Sequence, residues 1–145
     1  SLGDPRFFGL TPAMTLSADL AVTKRVPAGQ GLSYGHQYVT SQDTKVALVP
    51  MGYADGIPRN ASNVGPVSLG GTRHTVAGRV CMDQFILDLG PRSEAQAGDV
   101  VTLFGSGSAG EPTAQDWAQA TGTISYEIIT RVGARVPRIY TGGQQ

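Results

Sequence analysis

Three short segments carry side chains that could do chemistry. In Gly31-Leu-Ser-Tyr-Gly-His-Gln-Tyr38, Tyr34 stands between a serine and a glycine just after a turn. A phenol titrates near ~10, so holding one ionised at pH 7 costs about 4 kcal/mol, at ~1.36 kcal/mol per unit. A tyrosine acting as a general acid or base therefore needs cations or hydrogen-bond donors around it. Without them, Tyr34 reads as an amphipathic strand tyrosine with its hydroxyl at the rim. Gly52-Tyr53-Ala-Asp-Gly56, followed by Pro58-Arg59, is a polar loop after an apolar run, a position that often carries function. Asp55-Gly56 is equally the chemistry of an ordinary turn. Gly78-Arg79-Val-Cys-Met-Asp-Gln84 sets Arg79, Asp83 and Gln84 around Val80, Cys81 and Met82. Cys81 has Arg79 nearby but belongs to no nucleophile motif, and alone it reads as a small buried hydrophobe. Tyr126 to Arg138 adds Arg131, Arg135 and Arg138, which either neutralise an anion or form a solvated face.

Other chemistries are excluded by type and spacing. His36 and His74 stand far apart, with no carboxylate or cysteine at ligand spacing, so no metal site is expected. Gly105-Ser-Gly-Ser-Ala-Gly110 lacks the strand–turn–helix context of a nucleotide loop and reads as a surface loop. Lys+Arg 11 balance Asp+Glu 11, and no basic stripe exists that could track phosphates, which argues against nucleic acid. No apolar run approaches the ~20 residues of a membrane span, and Ser1 to Leu10 has no signal-like apolar stretch. The only lysines are Lys24 and Lys45, both in strand-like contexts.

These residues need a scaffold, and the pattern predicts a mostly β one. Thr15 to Val26 alternates like a half-buried strand that slips at Leu20-Ala21, as a bulge would make it do. Pro27-Ala28-Gly29 is a turn. Lys45 to Met51 is a continuous apolar run, expected to be a buried strand. Pro66–Leu69, Gly70-Gly71 and Thr72–Val76 read as a hairpin. Gln84–Leu89 and Asp99–Phe104 are further strands, and Arg135–Tyr140 looks like a closing edge strand. Thr113 with Asp116 resembles a capping box opening a helix that Gly122 ends. A second short helix is expected over Ser125–Arg131, stopped by Gly133. About seven strands and two short helices near the C-terminus predict one domain over residues 1–145, barrel-like or a twisted antiparallel sheet. The tail Gly142–Gln145 is polar.

In their order along the chain, these segments resemble the C-terminal β domain of alanine racemase, a pyridoxal-phosphate enzyme. The match is carried by Ser33-Tyr34-Gly35 with Tyr38, Gly52–Gly56 with Pro58-Arg59, Gly78–Gln84, Ala97–Gly105, Ser125-Tyr-Glu127 and Arg135–Tyr140. The resemblance implies interconversion of L- and D-alanine for peptidoglycan precursors, in the cytoplasm. It implies that Tyr34 exchanges a proton on the L-face of the substrate α-carbon. Met82 and Asp83 would contact the substrate carboxylate, and Tyr126 the cofactor phosphate. Tyr53, Arg59 and Arg79 would line a narrow substrate corridor, and Arg138 matches an arginine near the domain's end. In this family the Schiff-base lysine lies in an N-terminal (β/α) barrel, and neither Lys24 nor Lys45 has its motif. The chain, which begins at Ser1 without a methionine, is thus expected to be the C-terminal part of a longer racemase, inactive alone. It would act in a head-to-tail homodimer whose partner supplies the cofactor. Two alternatives stand beside this: a self-standing β-barrel module binding small carboxylates or a protein, and a relative acting on serine or another small amino acid.

Overall fold

The computed structural model describes residues 8–142, so the Ser1–Leu10 reading falls mostly, and the tail Gly142–Gln145 almost wholly, outside the described residues. The described chain runs β1 (Leu16–Asp19), β2 (Val22–Val26), β3 (Gly31–Leu32), β4 (Tyr38–Val39), β5 (Thr44–Val49), β6 (Pro66–Leu69), β7 (Thr72–Thr75), β8 (Phe85–Gly90), β9 (Val100–Phe104), α1 (Ala114–Thr121) and α2 (Ser125–Thr130). All strand pairs are antiparallel. One sheet has the order β1-β9-β6-β7, a second β2-β5-β8, and β3-β4 form a small ribbon.

Local chemistry explains most of these elements. β8 buries every second residue, placing Phe85, Leu87 and Leu89 inside, as period-2 alternation requires. Gly70 and Gly71 both have positive φ (56° and 79°), which lets a two-residue turn match the twist of β6 and β7. In α1, Thr113 Oγ1 accepts the Asp116 amide at 3.1 Å while the Asp116 carboxylate accepts the Thr113 amide at 3.0 Å, a reciprocal cap. Gly122 ends that helix at φ 72°. Trp117 is buried in the main core with Val49, Val67, Phe85, Leu87 and Leu103, and its indole donates to the Leu103 carbonyl at 2.6 Å, fixing α1 on β9. A smaller cluster of Val26, Leu32, Val46 and Ala77 lies beside it.

The structure departs from the sequence reading in four places. Thr15–Val26 is two strands in different sheets, not one bulged strand. The Leu20 amide bonds to Asp99 and the Ala21 amide to Leu48, so the chain turns a corner there, and the true register shift falls at Leu16/Ser17. Arg135–Tyr140 is no strand. Arg138 donates to the carbonyls of Val132, Gly133 and Val136 and folds the segment on itself, leaving Ile139 and Tyr140 exposed. Among the described residues the sheets do not close into a barrel: β7 and β8 lie on different sheets, and the chain just past β7 meets β8 in one isolated bridge, Val76–Leu87. The domain is a twisted antiparallel sheet structure, and the count of strands rises to nine among the described residues because the short β3 and β4 and the split of β1 from β2 were not foreseen. Among the described residues no helix is long and apolar enough to cross a membrane.

Candidate active site

Tyr34 is not on a strand. It opens a short 3-10 turn, Tyr34–His36, between β3 and β4, and its ring is exposed. Its position is set by backbone that few side chains tolerate. Ser33 has φ 61° and ψ −177°, a region almost reserved for glycine, and Gly35 follows at φ 71°. Ser33 is held there by its hydroxyl, which donates to the Arg79 carbonyl at 2.9 Å and lies 3.5 Å from Cys81 Sγ. Gly78 permits this approach, since a Cβ at that position would sit 2.8 Å from Ser33 Cβ. The Arg79 guanidinium packs under Gly35, so a cation lies against the loop that carries Tyr34.

A second loop closes on the same segment. The Tyr53 and Ala54 amides donate to the carbonyls of Cys81 (3.0 Å) and Met82 (2.9 Å). Gly52 lies flat against those carbonyls, where any Cβ would collide with them. Asp55, buried, reaches back to accept the Gly52 amide at 2.9 Å and so caps the turn. The sequence reading left Asp55 as a turn residue; the signal for its cap was its place three residues after Gly52. Arg59 begins the next 3-10 turn, Arg59–Ala61. Ser62 secures it by donating to the Arg59 carbonyl at 2.6 Å and accepting the Val80 amide at 2.9 Å. The Cys81 amide donates to Gln84 at 2.9 Å, a tight turn that pushes Met82 and Asp83 outward. Cys81 is half-buried at the wall of this site rather than sunk in the core.

Tyr34, Tyr53, Arg59, Arg79, Met82 and Asp83 therefore line one open recess of about 450 Å³, together with Val80, Cys81 and Gln84. That is within the ~300–1,000 Å³ typical of small-molecule sites. Two guanidinium groups and two phenols face a single carboxylate. Asp83 is already paired with Arg135, whose hydrogen bond to it, with the charge of Asp55 behind, holds that guanidinium above the ordinary arginine range. The balance suits a small anion or zwitterion. Tyr126 lies elsewhere, exposed on α2, and does not line the recess. The rest of the arginine cluster is spoken for by neighbours: Arg131 pairs with Glu127 at 3.3 Å, and Arg138 binds backbone carbonyls.

Lys24 on β2 and Lys45 on β5 stand in the three-stranded sheet and neither lines the recess, which offers hydrogen bonds and charge but no amine. Among the described residues no group of His, Cys, Asp and Glu could hold a metal ion. A larger groove of about 1130 Å³ on another face, bordered by His74, Arg92, Glu94 and Asp99, contains none of these residues. Burial pushes the His74 imidazole below its usual range there, with Asp88 partly offsetting it.

Comparison with known proteins bears on this arrangement. The family described as "Alanine racemase, C-terminal domain" matches residues 13–140. The alanine racemase of Beutenbergia cavernae is 63% identical over 136 residues, covering 94% of this chain and 36% of that protein. That of Mycobacterium avium is 50% identical over 140 residues, covering 96% of this chain and 35% of the relative. Among solved structures, alanine racemase from D-cycloserine-producing Streptomyces lavendulae superposes with a TM-score of 0.95 at 60% identity, covering 99% of this chain and 37% of that one. The Clostridium difficile alanine racemase, in complex with cycloserine, gives 0.80 at 39% identity, over 88% of this chain and 33% of that one. The chain spans only about 36% of the length of the curated relatives it matches.

Proposed function

We propose, from the premise that this chain belongs to the alanine racemase C-terminal domain family, that it forms one domain of an enzyme interconverting L- and D-alanine. The observation that carries the reading is the single recess shared by Tyr34, Tyr53, Arg59, Arg79, Met82 and Asp83. Its phenols and guanidinium groups support a carboxylate and a phosphate as ligands, and in this reading the lysine that anchors pyridoxal phosphate belongs to an N-terminal barrel. When bound, pyridoxal phosphate supplies an electron sink that makes the α-proton of an amino acid labile.

In this reading the Tyr34 hydroxyl removes or returns a proton on the L-face of the α-carbon. The strained Ser33 backbone and the left-handed Gly35 set where the Tyr34 backbone stands, which matters because proton transfer needs hydrogen-bond reach. The backbone of Met82 and Asp83 receives the substrate carboxylate. Tyr126 donates to the cofactor phosphate. Tyr53, Arg59 and Arg79 form a polar, cationic entrance that draws a small carboxylate and crowds out larger side chains. The domain works in a head-to-tail homodimer in the cytoplasm, serving the cofactor bound by the partner, and is inactive by itself.

The test is Tyr34→Phe in the full-length racemase carrying this domain. Racemisation is expected to fall by roughly 10²–10⁴-fold, the usual worth of a positioned acid–base group. Exchange of the α-hydrogen with deuterated solvent should persist for D-alanine and collapse for L-alanine. Racemisation within about tenfold of the parent enzyme removes Tyr34 from the chemistry.

A further inference from the structure

Two acidic residues of the recess loops are joined by one side chain that does not itself line the recess. Arg135 directs Nε to Asp55 Oδ1 at 3.3 Å and Nη2 to Asp83 Oδ1 at 2.8 Å. Asp55 is buried, and its other oxygen holds the Gly52 amide, so it is fixed to the loop that presents Tyr53. Asp83 is exposed and follows Met82 on the outward turn. Arg135 is held in turn. The Gly133 amide donates to the Asp55 carbonyl at 2.9 Å, and Arg138 gathers the carbonyls of Val132, Gly133 and Val136 into a fixed bend.

From this we infer that Arg135 is a positioning residue that sets the recess's affinity for the substrate carboxylate, an inference that rests on the racemase reading above. Its guanidinium fork does two things. It adds a side-chain tie between the Tyr53 loop and the Met82–Asp83 turn beside the backbone bonds of Tyr53 and Ala54, and it pairs the Asp83 carboxylate with a positive charge. A free Asp83 carboxylate would stand beside the backbone that a substrate carboxylate must reach, and like charges in such a place repel. A planar fork reaches both acids at once; an ammonium group reaches one.

The experiment uses the full-length racemase with Arg135→Met and Arg135→Lys, measuring kcat, KM for L-alanine at low and high salt, and the thermal midpoint. Arg135→Met should raise KM about tenfold with a smaller change in kcat, as loss of ground-state carboxylate binding requires. High salt should shrink the difference, because the repulsion is screened. Arg135→Lys should recover part of it. A KM within about twofold of the parent overturns the inference, as does a fall of kcat and midpoint together at constant KM, the mark of a merely structural residue. A second readout stands apart from activity. The Met82 methyl resonance in ¹³C-methionine-labelled enzyme, assigned with Met82→Leu, should move in Arg135→Met with no substrate present. If it stays in place, Arg135 does not position the turn. If it moves but the parent enzyme fails to racemise alanine, the racemase reading fails and the positioning role survives.

Discussion

Gly52→Ala separates steric from conformational demands at the site. Gly52 has φ −144° and ψ −160°, extended backbone that alanine adopts freely, so no backbone strain is added. The obstacle is the Cys81–Met82 backbone. A Cβ on Gly52 falls about 1 Å inside ordinary contact with both carbonyls. Relieving it pushes apart the segments joined by Tyr53 N–Cys81 O at 3.0 Å and Ala54 N–Met82 O at 2.9 Å, carrying both bonds out of range. Each is worth roughly 0.5–1.5 kcal/mol net. With the Asp55 cap disturbed as well, the expected loss is about 2–4 kcal/mol, a large part of the ~5–15 kcal/mol that keeps a domain folded. Gly70→Ala is the comparison. It meets no atom within 4 Å but must keep φ at +56°, so its cost is the left-handed penalty alone, roughly 1–2 kcal/mol. Urea titration followed by the emission of Trp117, the single tryptophan, compares the two. If Gly52→Ala unfolds no earlier than Gly70→Ala, the close approach of the two loops is not what holds the recess together.

Two further outcomes test the packing. Trp117→Phe withdraws the indole donor from the Leu103 carbonyl and leaves part of a fully buried ring's volume empty, and should cost about 2–3 kcal/mol by urea titration with far-ultraviolet circular dichroism. Burial, with the Asp88 carboxylate that accepts its hydroxyl at 2.8 Å, pushes the Tyr38 phenol up to about 12. The folded state thus holds that proton more tightly than the unfolded chain, where a phenol titrates near ~10. The stability it contributes is whole below pH ~10 and is lost as pH rises from there toward 12. Tyr38→Phe should flatten that alkaline decline in urea midpoints, and an equally steep decline in the variant would show that Tyr38 does not cause it.

Several elements were legible because short-range terms settle them. Alternation set the inward face of β8, paired glycines set the β6–β7 turn, and the reciprocal Thr113–Asp116 cap with Gly122 bounded α1. The errors lie where the same local pattern serves two outcomes. An apolar slip at Leu20–Ala21 suits a bulge or a corner, and the choice rests on whether successive amides find partners in one sheet or two. Arg135–Tyr140 has the residues of an edge strand, but a strand needs a neighbouring edge, and Arg138 spends the local carbonyls in a bend instead. Closure into a barrel likewise depends on how the two sheets meet beside β7 and β8, where one isolated bridge, Val76–Leu87, takes the place of a ladder.

The candidate site divides the same way. By itself the sequence determined which side chains were available: two phenols and two guanidinium groups on glycine-rich loops, no metal ligand set, and lysines confined to strands. It also determined the likeness to a racemase domain, through the order of the segments. Local residues left Tyr34 and Asp55 open between function and ordinary turn, because nothing within a few positions supplies a charge or a cap partner of sufficient reach. Tertiary structure decided what surrounds them. It closed a separation of 46 residues to a 2.9 Å hydrogen bond between Ser33 and Arg79, set a cation beneath Gly35, and gave Asp55 and Asp83 one shared arginine from 52 residues beyond the latter. Electrostatics and hydrogen bonding fall off over a few ångströms, so a residue's chemistry is fixed by whichever distant segments folding brings that near.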